Sequence, residues 1–150
     1  MRVSQYAYFA LRSTRMSADE ITARLGVEPD ERRVRGSRPA HAWRIVCREP
    51  ALTVDEQITR IIDRLYEHAE RIGALAVELD RAEGEPPAAR LQVVRVFEHP
   101  DGDEDEDVVG QGLEKLPGQH RLMGWHLDAR ALEFLRLTRA ELDVDEYLYG

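Results

Sequence analysis

Residues 6–11, Tyr-Ala-Tyr-Phe-Ala-Leu, and residues 17–26, Ser-Ala-Asp-Glu-Ile-Thr-Ala-Arg-Leu-Gly, decide the start of the fold. The first stretch is almost continuously apolar or aromatic, which is typical of a strand that is covered at least partly on both faces. Side chains alternate along a strand, so Phe9 lies on one side and Tyr6 and Tyr8 lie on the other. The sequence therefore predicts a strand with two different apolar faces.

The second stretch begins with a capping box, in which two side chains bond the exposed backbone N–H groups of a helix start. Ser17 and Glu20 have this spacing, and Thr53 and Glu56 repeat it further along the chain. Each pair predicts that a helix begins there. Gly26 follows the first helix, where a left-handed residue ends a helix favourably.

The remaining elements follow from periodicity and turn residues. They are a half-buried strand over 41–47, a helix from Thr53 to a stop at Gly73, a hairpin of strands Ala74–Leu79 and Leu91–Phe97, a helix from Asp128 to about Arg136, and a strand over Leu142–Tyr149. The predicted order is β-α-β-α-β-β-α-β. Because each helix is apolar on one side only, we expect an α+β, two-layer sandwich in which the helices pack on one face of a mostly antiparallel sheet.

Length and charge narrow the classes of protein further. The chain has 150 residues, which suits a single domain over 1–150, and it carries a net charge of −8. Residues 100–118 read as an acidic irregular loop inside that domain. A net acidic chain without a basic stripe is a poor nucleic-acid binder. Since there is no membrane span or signal peptide and Cys47 is the only cysteine, we expect a cytoplasmic protein with no membrane partner.

Several short stretches carry a family resemblance. They are Tyr8-Phe9-Ala10-Leu11-Arg12, Ile21-Thr22-Ala23-Arg24-Leu25-Gly26, Arg35-Gly36 ahead of His41-Ala42-Trp43, Gly124-Trp125-His126-Leu127, and Leu142-Asp143-Val144-Asp145-Glu146-Tyr147. Together they resemble the bacterial domain-of-unknown-function family 4279. The resemblance implies a compact α+β domain, and it brings no activity and no catalytic residues.

The acidic run at 101–107 is the first candidate site, with six carboxylates in seven residues. Carboxylates at the spacing of a calcium-binding EF-hand loop would act as weak metal ligands; they are Asp103, Asp105, Asp107 and Glu114. Val108 occupies the position where such a loop needs glycine. A solvated acidic segment is therefore the favoured interpretation.

The second candidate site is a group of arginines around Gly36 that suits phosphate or carboxylate groups, because guanidinium forks bind both ends of such anions. Its members are Arg32, Arg33, Arg35 and Arg38. Glu28, Asp30 and Glu31 lie close by in the sequence. A surface loop that pairs locally with these acids is the alternative.

The third candidate site is aromatic. Tyr6 and Tyr8 share one side of the first strand, and Tyr147 and Tyr149 share one side of the last. If the helices cover the opposite side, the first pair lies on an open sheet face, beside Arg44 where the strands adjoin. Tyrosine and arginine are typical of protein interfaces. A partly exposed sheet face without a partner is the alternative.

Catalytic residues are not predicted. Cys47 lies on the same strand face as Trp43 and Ile45, where a thiol acts as a small apolar group. His41 is six residues away, too far along an extended strand to activate it. The serines lack a nucleophile motif, so we lean against an enzyme.

These features predict a non-enzymatic bacterial protein-interaction module with another protein as partner. One concrete version is a toxin-neutralising immunity protein, since an acidic protein is attracted to a basic toxin surface. The alternative is a small-ligand or anion-binding domain that uses the Arg32–Arg38 loop, with or without a hydrolytic activity that the sequence does not locate. A homodimer through the tyrosine face is open as well. No cofactor is expected.

Overall fold

The computed structural model describes residues 2–36, 38–84, 87–98 and 124–149. Its elements, in chain order, are β1 (Arg2–Ser13), α1 (Ala18–Leu25), β2 (Glu31–Arg33), β3 (His41–Cys47), α2 (Val54–Leu65), α3 (Ala69–Glu83), β4 (Ala89–Glu98), α4 (Ala129–Thr138) and β5 (Glu141–Tyr149). A single 3-10 turn, Tyr66–His68, joins α2 to α3. The predicted acidic loop over 100–118 lies outside the described residues.

Within these ranges the strands form one sheet in the order β2-β3-β1-β4-β5. The long strand β1 is central and runs antiparallel to both β3 and β4, while β5 runs parallel to β4. Since both neighbours of β1 are antiparallel to it, β3 and β4 are parallel to each other and need a helical crossover, which α2 and α3 supply. The sheet is mostly antiparallel, as predicted.

The helices pack on one face of this sheet. Phe9 pairs in register with Ile45 on β3 and with Leu91 on β4, and all three side chains are fully buried in one core cluster with the helices. Phe134 of α4 meets Phe9 edge-on, with ring centroids 5.4 Å apart, a geometry that aromatic rings favour. The α+β class with helices on one face is confirmed.

Local signals account for the helix starts. Ser17 and Thr53 each accept a hydrogen bond from the backbone N–H three residues on, and Glu20 and Glu56 complete both capping boxes. Gly26 ends α1 in the left-handed conformation with φ 72°. Each of these predictions is confirmed.

One predicted hairpin is wrong. Ala74–Leu79 is not a strand but part of α3, and β4 pairs instead with β1 and β5. The buried residues of α3 include Ile72, Leu75, Ala76 and Leu79, which follow a helical repeat. Six residues of mixed apolar character fit either period, and the helix is decided by packing outside the segment.

Gly73 was predicted to end the long helix, and this too is wrong. It lies inside α3, which continues to Gly84 in the left-handed conformation with φ 69°. A Cβ at position 73 would lie 1.9 Å from the carbonyl oxygen of Leu137 in α4. The glycine therefore permits close approach of two helices. The structure also adds the short strand β2 inside the segment that was predicted to be a loop.

Gly73→Ala is expected to destabilise the protein by about 1–3 kcal/mol, because the new methyl group overlaps backbone that cannot move aside cheaply. Helix propensity alone predicts the opposite sign, since alanine is favoured over glycine by about 1 kcal/mol inside a helix. Urea unfolding of both proteins measures the difference.

Gly36→Ala is the matched control, because a Cβ there would meet no atom within 4 Å. Its stability is expected to stay within about 0.5 kcal/mol of the parent. A Gly73→Ala protein that is as stable as the parent would contradict the close approach of α3 and α4.

Candidate functional site

The side of the sheet opposite the helices is called the open face here, because no described helix packs on it. Strand alternation and register place the open-face side chains. They are Glu31 and Arg33 on β2, Arg44 and Val46 on β3, Ser4, Tyr6, Tyr8, Ala10 and Arg12 on β1, Arg90, Gln92, Val94 and Val96 on β4, and Glu141, Asp143, Asp145, Tyr147 and Tyr149 on β5.

Four tyrosines form the aromatic part of the open face. The rings of Tyr6 and Tyr8 are 6.2 Å apart and inclined by 20°, and those of Tyr147 and Tyr149 are 6.4 Å apart and inclined by 18°. The side chain of Val94, beside Tyr6 on the neighbouring strand, is 8% exposed. The two aromatic pairs therefore border a short apolar strip on β4.

Asp145 raises the pKa of Tyr147 above its ordinary value, with smaller contributions from burial and from the neighbouring rings of Tyr149 and Tyr6. A hydrogen bond from the Tyr147 hydroxyl group to Asp145 contributes to the same shift. Tyr147 and Tyr149 are 44% and 57% exposed, so the second pair presents large rings to solvent.

Two arginines lie over the first tyrosine pair. The guanidinium carbon of Arg44 is 4.5 Å from the ring centre of Tyr8, and that of Arg48 is 4.1 Å from the ring centre of Tyr6. Both arginines form ion pairs with Glu31, whose carboxylate oxygens lie 3.8 Å from Arg44 and 3.0 Å from Arg48. The adjacency of Arg44 to the tyrosines was expected from alternation, and β1 and β3 do adjoin.

The β5 side of the open face is acidic, and β4 holds its carboxylates in place. Arg90 Nε donates to Glu141 at 2.6 Å, and its Nη1 lies 3.4 Å from Asp143. Gln92 Nε2 donates to Asp145 at 3.1 Å. Charged side chains on an edge strand also oppose unwanted strand pairing. The open face thus carries opposite charges on its two flanks.

The arginines of the Arg32–Arg38 loop do not form one site. Arg32 lies on the helix side of β2 and pairs with Asp19 and Glu28. Arg35 donates to the carbonyl oxygen of Thr14 at 3.2 Å, and Arg38 is exposed. Only Arg33 joins the open face, where its Nε donates to the carbonyl oxygen of Ala40 at 3.4 Å.

Sequence reasoning missed Arg12 and Arg90, which lie near Arg33 and Arg44 on the open face. We call these four residues the arginine cluster. Burial lowers the pKa of Arg12, and the charge of Arg90 lowers it further. Burial also lowers the pKa of Arg33, followed by the charge of Arg44. Strand alternation is the signal that could have placed Arg12 on the open face, since it lies two residues beyond Ala10 and four beyond Tyr8.

The other sequence candidates receive no added support. Asp103, Asp105, Asp107 and Glu114 lie outside the described residues, and among the described residues no group of three or more histidine, cysteine or carboxylate side chains is placed to hold a metal ion. Cys47 packs partly buried against the core. His41 Nδ1 accepts a hydrogen bond from the backbone N–H of Arg35 at 2.8 Å. Across the described ranges, none of the helices has the length and apolar composition of a membrane span.

The stacking of Arg48 on Tyr6 predicts an energetic coupling between them. In a double-mutant cycle of Arg48→Gln and Tyr6→Leu, measured by urea unfolding, we expect a coupling of about 0.5–1 kcal/mol. Arg60, on α2 across the sheet, provides the control: Arg60→Gln with Tyr6→Leu is expected to be additive within about 0.3–0.5 kcal/mol. Equal coupling in both cycles would contradict the contact.

Comparison with known proteins places this chain in a family. A family model described as "Domain of unknown function (DUF4279)" matches residues 3–149, which cover the described sheet except for the first residue of β1. Neither the curated proteins nor the solved structures contain a match. The resemblance inferred from the sequence is confirmed. The chain therefore belongs to the DUF4279 family.

Proposed function

We propose that the protein is a non-enzymatic interaction module that binds another protein through the open face. The observation that carries the proposal is the contrast between the two sides of one sheet. The helix side is filled by a continuous apolar core, whereas the other side presents four tyrosines and an arginine-rich flank without a described helix above them. Tyrosine and arginine are the residue types that supply most of the binding energy at protein interfaces.

Several of these side chains are already fixed in position before a partner binds, which supports the same role. Arg44 and Arg48 are already stacked on tyrosine rings and held by Glu31. Association usually costs conformational entropy for each long side chain that becomes fixed. A surface whose arginines are fixed in advance loses less on binding, so more of the contact energy appears as affinity.

The charge pattern defines the chemistry of the partner. Basic groups lie on the β2 and β3 side, and the carboxylates of Glu141, Asp143 and Asp145 lie on the β5 side. A partner that fits has an apolar or aromatic centre, with acidic groups on one flank and basic groups on the other. Complementary charges speed encounter and fix orientation.

We propose the bacterial cytoplasm as the setting and toxin neutralisation as one concrete version of the interaction. The net charge of −8 attracts a basic partner, and a single unpaired cysteine suits a reducing compartment. The Arg32–Arg38 loop supports the anion-binding alternative less well, because Arg32 is neutralised by two carboxylates on the helix side.

A photoreactive phenylalanine analogue at position 8 is expected to form a covalent adduct with a different protein in cells of the native host. The matched control carries the analogue at position 132 on α4, where Leu132 is 54% exposed, and is expected to form no such adduct. Mass spectrometry identifies the species. An adduct with a second copy of this chain, or adducts only from position 132, would contradict the proposal.

Affinity for the captured protein then provides the quantitative test. Tyr6→Ala combined with Tyr8→Ala is expected to weaken binding by about tenfold or more, since each ring is a candidate interface anchor. Arg24→Gln, on the exposed face of α1, is the control and is expected to leave binding within about twofold. If the protein neutralises a toxin, an equimolar amount of it is expected to abolish the toxic activity of the captured partner. Toxic activity that persists would contradict the toxin-neutralising role, whereas the proposal of a protein interaction would still stand.

A further inference from the structure

The arginine cluster occupies the end of the open face beyond Tyr8, away from the exposed tyrosines of β5. Register places its members in two adjacent cross-strand rows. In the outer row Arg33, Ala42 and Arg12 lie side by side on β2, β3 and β1. In the inner row Arg44, Ala10 and Arg90 lie side by side on β3, β1 and β4. The guanidinium groups are near enough for their charges to act on one another, since, after burial, Arg90 and Arg44 lower the pKa of Arg12, and Arg44 and Arg12 lower that of Arg33.

Alanine forms the floor between them. Ala42 is 0% and Ala10 is 1% exposed, although neither has a side chain long enough to reach beyond the sheet. Long arginine stems flank each alanine in its row and cover it, as long cationic side chains commonly do with apolar surface. The register therefore combines small buried side chains with long cationic side chains on either side of them.

The charges of this cluster are only partly balanced. Arg90 is neutralised by Glu141 and Asp143. Arg44 lies 3.8 Å from Glu31, a carboxylate that is closer to Arg48.

Arg12 and Arg33 form no ion pair with any described residue, as judged from the salt bridges of residues 2–36, 38–84, 87–98 and 124–149. In addition, the Nε atoms of Arg12 and Arg44 are buried without a hydrogen-bond partner in that part of the chain. Buried polar atoms are nearly always hydrogen-bonded. Within the described residues, these two buried Nε atoms without a partner and two guanidinium groups without an ion pair indicate room for an acceptor of opposite charge.

We propose that Arg12, Arg33 and Arg44 bind the dianionic phosphate of a phosphate monoester. Three guanidinium forks carried by three neighbouring strands match a tetrahedral group with several acceptor oxygens. A dianion also balances the charges of Arg12 and Arg33, which have no ion pair among the described residues. The monoanionic phosphodiester of a nucleic-acid backbone balances only one of them, and the net charge of −8 opposes a polyanion.

The lowered pKa values of Arg12 and Arg33 agree with this assignment, since burial and like-charged neighbours disfavour their cationic forms. A bound dianion adds negative charge beside them and opposes that penalty. The site shares Arg44 with the surface proposed to bind a protein, but phosphate binding is measured on the protein alone, so its test does not depend on a partner.

Isothermal titration with inorganic phosphate at low ionic strength tests the site directly. We expect saturable one-to-one binding and a rise in melting temperature that chloride at equal ionic strength does not reproduce. Sulfate, another tetrahedral dianion, is expected to bind as well. Dimethyl phosphate, which has the single charge of a phosphodiester, is expected to bind at least about tenfold more weakly.

Arg33→Gln is expected to weaken phosphate binding by about tenfold or more, because it removes a charge-assisted contact. Arg60→Gln is the matched control: it removes the same charge from the exposed side of α2, across the sheet from the cluster, and is expected to change the affinity by no more than about twofold. In phosphate-free buffer Arg33→Gln is expected to melt no lower than the parent, which separates loss of the site from loss of the fold.

No saturable binding of phosphate would overturn the proposal. Equal weakening by Arg33→Gln and Arg60→Gln would also overturn it, because the effect would then reflect overall charge rather than a site. Tight binding of dimethyl phosphate would replace the monoester with a phosphodiester as the ligand. None of these outcomes depends on whether the tyrosine pairs bind a protein.

Discussion

The two-sided hydrogen bonding of β1 is the constraint on which the rest of the structure depends. This strand pairs with β3 on one side and β4 on the other, so its register fixes which residues of three strands share a face. Phe9 and Leu11 enter the helix-packed core, and Tyr6, Tyr8 and Arg12 are directed to the open face. A slip of one residue would exchange the two sets. The core and the candidate site are therefore specified by the same hydrogen bonds.

Small residues mark the places where this arrangement needs room. Gly73 lets α3 approach the backbone of α4 at Leu137, which in turn places Phe134 against Phe9. Ala10 and Ala42 play a different role on the open face, where larger side chains would displace the arginine stems above them. Each of these residues is small for a steric reason. That reason depends on which backbone or side chain lies next to it in the folded protein, which the sequence does not state.

Sequence rules that use only neighbouring residues were enough to predict the parts of the fold that depend on neighbouring residues. Capping boxes predicted the starts of α1 and α2, and alternation predicted the two faces of β1 and β3. The same rules assigned Ala74–Leu79 to a strand, whereas Leu75, Ala76 and Leu79 are buried in a core cluster most of whose other members come from distant parts of the chain. The arginine cluster was missed for a similar reason. Arg32 and Arg33 are adjacent in sequence yet lie on opposite faces of β2, and Arg12 and Arg90 come from strands whose order no local pattern reveals.

The placement of these arginines is difficult to explain by stability alone. The chain has 29 acidic residues against 21 basic ones, so partners for every guanidinium group are plentiful. Arg24, Arg64 and Arg130 each find a carboxylate on a neighbouring element. Arg12 and Arg33 instead lie together over buried alanines, where like charges repel and burial opposes their charge. Departures from locally favourable arrangements concentrate at functional sites, and neighbouring cations without an ion pair among the described residues of an acidic protein are such a departure.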